Sequence, residues 1–247
     1  SPGFDLNDMG YMKETDYLMN ETEIMYRQTD IWKIFRYNAF TLSQKNMWNY
    51  GGTPFSNNAS LRWQSMTMNR YEWDVKETFA WNWLDSRLLR GGPDVRFGSY
   101  FLTSAKFNTD KAKRMMFMLK YEGDHNFEGN RFNTISPSLT FRLGNHVYLS
   151  GQLDYAWNTD EMQYVATTSP LSSSSLTPYY YVMGHMDQKT YGLTLKLQVN
   201  VTPDISIQFY GAPFTSIAKY DDFKLAADTK SHTFENLSLI HISEPTR

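Results

Sequence analysis

Glu72 and Asp74 are two carboxylates separated by one residue in the stretch YEWDVKETFAWNW. In an extended strand they share a face and lie about 7 Å apart by strand rise, a separation that suits the acid and base of glycoside hydrolysis. Lys76 follows on the same face. The trio therefore reads more simply as mixed charge on a polar surface than as a catalytic pair. Asp5, Asn7, Asp8 and Gly10 begin like a calcium loop. Met9 stands where the third ligand belongs and no Glu falls at the twelfth position, so ordered Asx turns are expected there instead. The histidines at 125, 146, 185 and 232 share no zinc-ligand spacing. There is no Cys, hence neither a thiolate site nor a disulfide framework. Nucleophile elbow, phosphate loop and dinucleotide fingerprint are all missing. Asp221-Asp222 reads as a solvated loop. No catalytic, cofactor-binding or metal-ligating residue is assigned.

The elements that carry these charges alternate apolar and polar residues. In 131–158, Ile135, Pro137, Leu139, Phe141 and Leu143 share one face, against Ser136, Ser138, Thr140 and Arg142. After Gly144-Asn145, Val147, Leu149, Leu153, Tyr155 and Trp157 alternate with Tyr148, Ser150, Gln152 and Asp154. In 190–210, Leu193, Leu195, Leu197 and Val199 alternate with Thr194, Lys196 and Gln198 before a turn at Thr202-Pro203-Asp204, and Ile205, Ile207 and Phe209 alternate with Ser206, Gln208 and Tyr210 after it. Period 2 through consecutive segments predicts half-buried strands. Residues 71–83 and 113–122 follow the same rule, with Glu77 the exception on its apolar face. Weaker strands are expected at 20–28, 31–42, 59–68 and 98–107. The poor alternation of 31–42 suggests a bulge. About ten strands result.

Their connections fall into two kinds. Short turns are expected at Thr29-Asp30, Asn69-Arg70, Asn108 to Asp110, Gly144-Asn145 and Thr202 to Asp204. Longer polar loops are expected at about 43–58, 85–97, 123–131, 159–186 and from 211 onward, with Gly91-Gly92-Pro93 shaping the second of them. Gly211-Ala212-Pro213-Phe214 is expected to end a strand and re-aim the chain. Strands near ten residues, short turns at one end and long loops at the other describe an outer-membrane wall. The aromatic content of 16%, with 7 Trp and 17 Tyr, suits interfacial girdles. A negative mean hydropathy agrees with this, because a barrel strand carries apolar residues only at every second position. No apolar run of about 18 residues exists to form a transmembrane helix. The net charge of −2 points to no nucleic-acid partner.

The expected fold is therefore all-β: an antiparallel up-and-down outer-membrane β-barrel, about ten strands of a larger barrel, open and incomplete. Leu139, Phe141, Leu143, Leu193, Leu195 and Leu197 are expected to face lipid. Glu72, Asp74, Lys76, Lys120, Arg142, Asp154 and Lys196 are expected to face the lumen, with Thr140 and Thr194. Residues 1–236 read as one domain. Residues 237–247, LSLIHISEPTR, match the translation of a common sequencing adapter and read as an artefactual tail. Ser1-Pro2-Gly3 reads as mid-protein, which implies an export signal upstream.

Three stretches carry a family resemblance: SPGFDLNDMGYM (1–12), LLRGGPDVR (88–96) and LKLQVNVTPDISIQFYGAPFTSIAKYDDF (195–223). They resemble the outer-membrane β-barrel domain of unknown function of Bacteroidetes-type bacteria. That domain usually follows a family-9-like carbohydrate-binding module, and its barrel is similar in plan to those of TonB-dependent receptors. The resemblance implies a bacterial outer-membrane location, membrane lipid as partner and a link to surface polysaccharide or oligosaccharide through the upstream module. It implies no activity. The leading expectation is a non-enzymatic barrel; a barrel anchor for a surface polysaccharide hydrolase and a soluble β-sandwich module are the rivals.

Overall fold

The computed structural model describes residues 17–81, 83–85, 88–90, 92–144, 146–168, 180–202 and 204–226. The Asp5–Gly10 segment, the first family motif and the 237–247 tail lie outside them. The described residues form thirteen strands and no helix: β1 (Leu18–Gln28), β2 (Phe35–Trp48), β3 (Pro54–Thr67), β4 (Glu72–Trp81), β5 (Trp83–Asp85), β6 (Val95–Phe97), β7 (Tyr100–Asn108), β8 (Met115–Asn126), β9 (Arg131–Leu143), β10 (Val147–Thr168), β11 (Tyr180–Thr202), β12 (Ile205–Gly211) and β13 (Phe214–Ala226). β5 and β6 pair only with each other, and the rest form one antiparallel sheet in sequence order.

β12 and β13 are two halves of one strand. Leu195 pairs with Gly211 and Gly192 with Phe214, so the register across the gap is unchanged. Leu193 N donates to Pro213 O at 3.0 Å. Pro213 has no N–H to return the bond, and the ladder skips there without turning. The expected change of direction at Gly211–Phe214 is thus corrected. Counting β12–β13 once, the meander has ten strands, with β1 and β12–β13 at its edges; among the described residues the sheet is not closed into a barrel.

The connections at one end are shorter than expected. The segments 43–58 and 123–131 are mostly strand, leaving turns at 49–53 and 127–130. Asn49 N bonds Thr53 O and Asn126 N bonds Asn130 O, with Gly52 (φ 81°) and Gly129 (φ 105°) in the left-handed region. These are three-residue turns closed by a bulge, a position that favours glycine. Most of 159–186 is also strand: β10 has 22 residues and β11 has 23. The segment after 211 carries β13. The outer strand ends are polar on both faces (Ser43 to Asn46, Ser56 to Asn58), so the alternation vanishes although the ladder continues. The bulge suspected in 31–42 is present as a register shift between Phe35 and Tyr37.

Burial is inverted relative to a water-soluble sheet. On the apolar face Leu61 is 56% exposed and Leu153 57%, while on the polar face Ser60 is 5%, Thr78 7% and Thr140 8% exposed. The apolar cluster of buried residues, Leu89, Val95, Met162 and Met183, sits at the loop end, away from the wall.

The turn between β3 and β4 repeats the three-residue design with Arg70 at φ 60° in place of glycine; Thr67 N bonds Tyr71 O at 2.9 Å. The left-handed conformation costs a non-glycine residue about 1–2 kcal/mol. Arg70→Gly is expected to stabilise the protein by about 1 kcal/mol, read as a higher urea midpoint. A lower midpoint would contradict the turn assignment.

Candidate functional site

The register lays out the polar face row by row. One row runs Gln64, Asp74, Lys106, Lys120, Ser136, Asp154 across β3 to β10. The next runs Arg62, Lys76, Ser104, Glu122, Thr134. All seven charges singled out in the sequence belong to this face, since Glu72 pairs with Asn108, Arg142 with Tyr148 and Lys196 with Ser150. They do not converge. Asp74 accepts from Arg62 Nε at 2.8 Å and from Gln64 at 3.2 Å. Glu72 binds Lys111 Nζ and accepts from Asn108 at 3.3 Å. Glu72 and Asp74 therefore serve different partners and form no couple. Lys120 pairs with Glu122 at 2.7 Å. Asp154 accepts from Ser136 and, at 2.8 Å, from Gln152. Arg142 donates to Lys111 O at 3.2 Å near the turn end. Lys196 Nζ sits 5.7 Å over the Tyr210 ring.

Arg62, Lys106 and Glu122 belong to the same network and were not singled out. Arg62 and Lys106 fall on the weakly alternating strands 59–68 and 98–107; only pairing with β4 and β8 gives them a face. Among the described residues no group of three or more His, Cys, Asp or Glu side chains is placed to hold a metal ion.

The opposite face carries several aromatic clusters, among them Tyr155 with Trp157 at 5.2 Å and Tyr191 at 5.0 Å, Phe35 with Trp63 at 6.2 Å, and two at the ends of β4 and β7. Toward the turns, Phe107 contacts Tyr71, Trp73 and Phe117 at 5.8, 4.4 and 6.5 Å between ring centroids. Toward the loops, Phe79 contacts Trp81 at 5.7 Å and Phe101 at 5.0 Å, and Phe101 contacts Phe127 at 5.9 Å. Tyr71 and Trp81 are ten residues apart on one face, about 33 Å along the strand and about 25 Å once tilted by about 40°.

At the loop end, the β4–β7 connection reaches β10 and β11, although β7, β8 and β9 lie between in the sheet. Leu89 and Val95 pack on Met162 and Met183, ringed by Leu88, Phe97, Tyr164 and Tyr181. Gly98 N donates to Glu128 Oε2 of the β8–β9 turn at 3.3 Å on the way. Burial pushes the Glu128 carboxyl above its ordinary value, partly offset by that bond. Gly92 has no room for a side chain: a Cβ would lie 2.7 Å from Leu89 Cβ and from the Tyr181 ring. Its Gly-rich sequence reads as a plain polar loop; its apolar residues, LL at 88–89 and Val95, are the available signal for docking.

Beyond their apolar stretches (147–157 and 191–201), β10 and β11 are joined by a histidine. His185 Nδ1 meets Glu161 Oε2 at 3.1 Å and Nε2 meets Asp187 Oδ2 at 3.4 Å. Glu161 N donates to Asn130 of the β8–β9 turn at 2.8 Å, and Asp187 accepts from Thr159 at 2.9 Å. The bond to Glu161 raises the His185 pKa most, with Asp187 adding to it and burial opposing it. Burial likewise raises the Asp160 carboxyl, while the Thr159 hydroxyl lowers that of Asp187.

The chain belongs to the DUF5916 family, a domain of unknown function; the family matches residues 1–239. No curated protein and no solved structure matches the chain.

Two outcomes are expected. Gly92→Ala forces the Leu89 and Tyr181 contacts apart, so limited proteolysis is expected to cut within 83–97 faster than in the parent while the rest of the sheet stays protected. Equal cutting would show that the docking is not needed. For His185, the folded pKa is raised above the ordinary imidazole value of 6.5. Its stabilising contribution is therefore complete below that value and is lost as pH rises through the folded pKa. Amide exchange around Glu161 and Gly184 is expected to quicken, beyond the intrinsic base dependence, as pH rises above about 6.5 through the raised folded pKa, and His185→Gln is expected to remove that step. An unchanged pH profile in the variant would refute the assignment.

Proposed function

We propose that the meander is the wall of a bacterial outer-membrane β-barrel, with its apolar face on lipid and its polar face on the lumen. On this reading it has a non-enzymatic role in solute passage or surface binding. The observation that carries the reading is the inverted burial: large apolar side chains stand exposed over the whole sheet while hydroxyls and amides lie buried on the other face. A soluble sandwich covers its apolar face with a second sheet, and among the described residues none covers this one. A bare apolar surface of this extent is unfavourable in water and favourable in hydrocarbon. The aromatics at the two ends of β4, Tyr71 and Trp81, support the reading, since their separation matches the apolar band of such walls, about 25 Å tall.

The short turns then face the periplasm and the longer connections the outside. Docking of the β4–β7 connection through Leu89 and Met183 fits a water-exposed outer end, where the hydrophobic effect operates. The free edges β1 and β12–β13 must be paired in the membrane, because hydrocarbon satisfies no backbone N–H or C=O. The carbohydrate link that the family resemblance implies makes sugars the first solutes to test. No observation on the polar face favours the hydrolase reading, since Glu72 and Asp74 are bound to separate cations.

Adjacent residues give the decisive comparison. Leu195 lies on the apolar face and Thr194 on the polar one. Arginine on lipid near the midplane costs about 2–4 kcal/mol and much less toward the lumen. Leu195→Arg is expected to abolish refolding into lipid vesicles, read by heat-modifiable gel migration, and Thr194→Arg to leave it nearly intact. Equal tolerance of both, or a parent chain that stays monomeric without detergent, would favour the soluble sheet.

A further inference from the structure

Arg70 occupies a position that the other turns of this design give to glycine. The left-handed residue is Gly52 between β2 and β3 and Gly129 between β8 and β9, whereas between β3 and β4 it is Arg70, at φ 60°. A Cβ is crowded in that conformation and a glycine is not. Backbone strain of this kind collects at ligand clamps.

Arg70 lines a concavity of about 450 Å³ between the β3–β4 and β7–β8 connections, and Lys113 lines it too. Neither cation makes an ion pair among the described residues. The carboxylate in the lining, Asp110, is buried and accepts from Ala112 N at 2.8 Å, so it is engaged within its own turn. Tyr71, Met115 and Phe117 supply the apolar part of the lining, and all three are exposed. They belong to the apolar face: Met115 is opposite Phe141 and Phe117 opposite Leu139. Phe107 bridges the rings of Tyr71 and Phe117 at 5.8 and 6.5 Å. Two cations thus stand at the end of an exposed apolar groove. An anionic head with hydrocarbon tails matches both parts. A free anion uses only the cations, and a zwitterionic lipid brings a cation of its own to the head position.

We propose that Arg70, Lys113 and the groove of Tyr71, Met115 and Phe117 bind one acidic phospholipid, its phosphate on the two cations and an acyl chain along the rings. The proposal rests on the membrane reading above, which makes the apolar face the lipid face. The guanidinium fork of Arg70 suits two phosphate oxygens, and the Lys113 ammonium adds a point charge.

The test uses the full chain folded in a non-ionic detergent, with retained lipid counted by native mass spectrometry after incubation with phosphatidylglycerol or phosphatidylcholine. One phosphatidylglycerol per chain is expected to be retained, and phosphatidylcholine far more weakly. Arg70→Gln and Lys113→Gln are each expected to weaken retention about fivefold, the contribution of one basic residue at an anionic lipid surface. Lys189 lies on the same face at the loop end, opposite Trp157 and Ile217. Lys189→Gln is expected to change retention less than about twofold, because it is more than a Debye length away. Arg70→Gly separates binding from structure. In phosphatidylcholine vesicles its urea midpoint is expected to exceed that of the parent, and added phosphatidylglycerol is expected to raise the parent's midpoint more than the variant's. Equal retention of both lipids by a folded, heat-modifiable chain, or equal weakening by Lys189→Gln, overturns the site and leaves the membrane reading standing. So does inorganic phosphate that displaces the lipid at similar concentration, which would make the occupant a free anion. A chain that never assembles in vesicles and stays monomeric without detergent overturns the membrane reading and the site with it.

Discussion

Backbone pairing between neighbouring strands is what the rest of this structure depends on. The ten-strand sheet has no dry interior across its wall, so side-chain burial cannot hold it together in the usual way. Each strand is secured by continuous ladders, 19 paired positions between β10 and β11 alone. The length of the strands follows from this. So does the tolerance of Pro213, where one bond of a pair is missing yet the register on both sides is kept. It also explains why the turns are so economical: each must return the chain in register, and the three-residue design with a left-handed residue does so at 50–52, 68–70 and 127–129.

With cohesion supplied by the backbone, the two faces are free to specialise. One carries aromatic and aliphatic groups in overlapping clusters. The other satisfies its polar groups laterally, as in the hydroxyl pairs Ser43–Ser60 and Thr140–Ser150 and the Arg62–Asp74–Gln64 set. Such pairs link one strand to the next and add specificity of register to the ladder. Ser65 Oγ is the one buried side-chain polar atom among the described residues that has no partner; the structure offers no physical account of it.

The hydrophobic effect in its ordinary form works in one place, the loop end. There Leu89, Val95, Met162 and Met183 exclude water from one another, and Gly92 allows Leu89 and Tyr181 to close over it. The contact joins strands far apart in the sheet, which no ladder does. Its neighbours, Glu128, Asp160, Glu161 and His185, are the groups whose charges burial and hydrogen bonds shift or engage. The sheet and its loop end thus answer to different physics.

The alternation of Leu139, Phe141 and Leu143 with Thr140 and Arg142, repeated through 193–198, was enough to determine strands and which side chains share a face, and the short turns between them made a meander the expected order. A period of two leaves no other reading of such segments. Strand ends were not legible: past the apolar stretch, residues such as Ser43 to Asn46 are polar on both faces, and the signal lapses while hydrogen bonding continues. The partners of Asp74 were equally hidden, because Arg62 and Lys106 gain a face only when β3 and β7 are set in register beside β4. The opposition of Arg62 to Lys76 and of Lys106 to Lys120 is a property of that register alone. Only the tertiary structure decided that a Gly-rich connection crosses to β10 and β11, since contacts between strands so distant in the chain depend on the curvature and spacing of the whole sheet. Local pattern determines what each residue does within its own strand; which residues from other strands it meets is decided by pairing, and the pattern does not encode it.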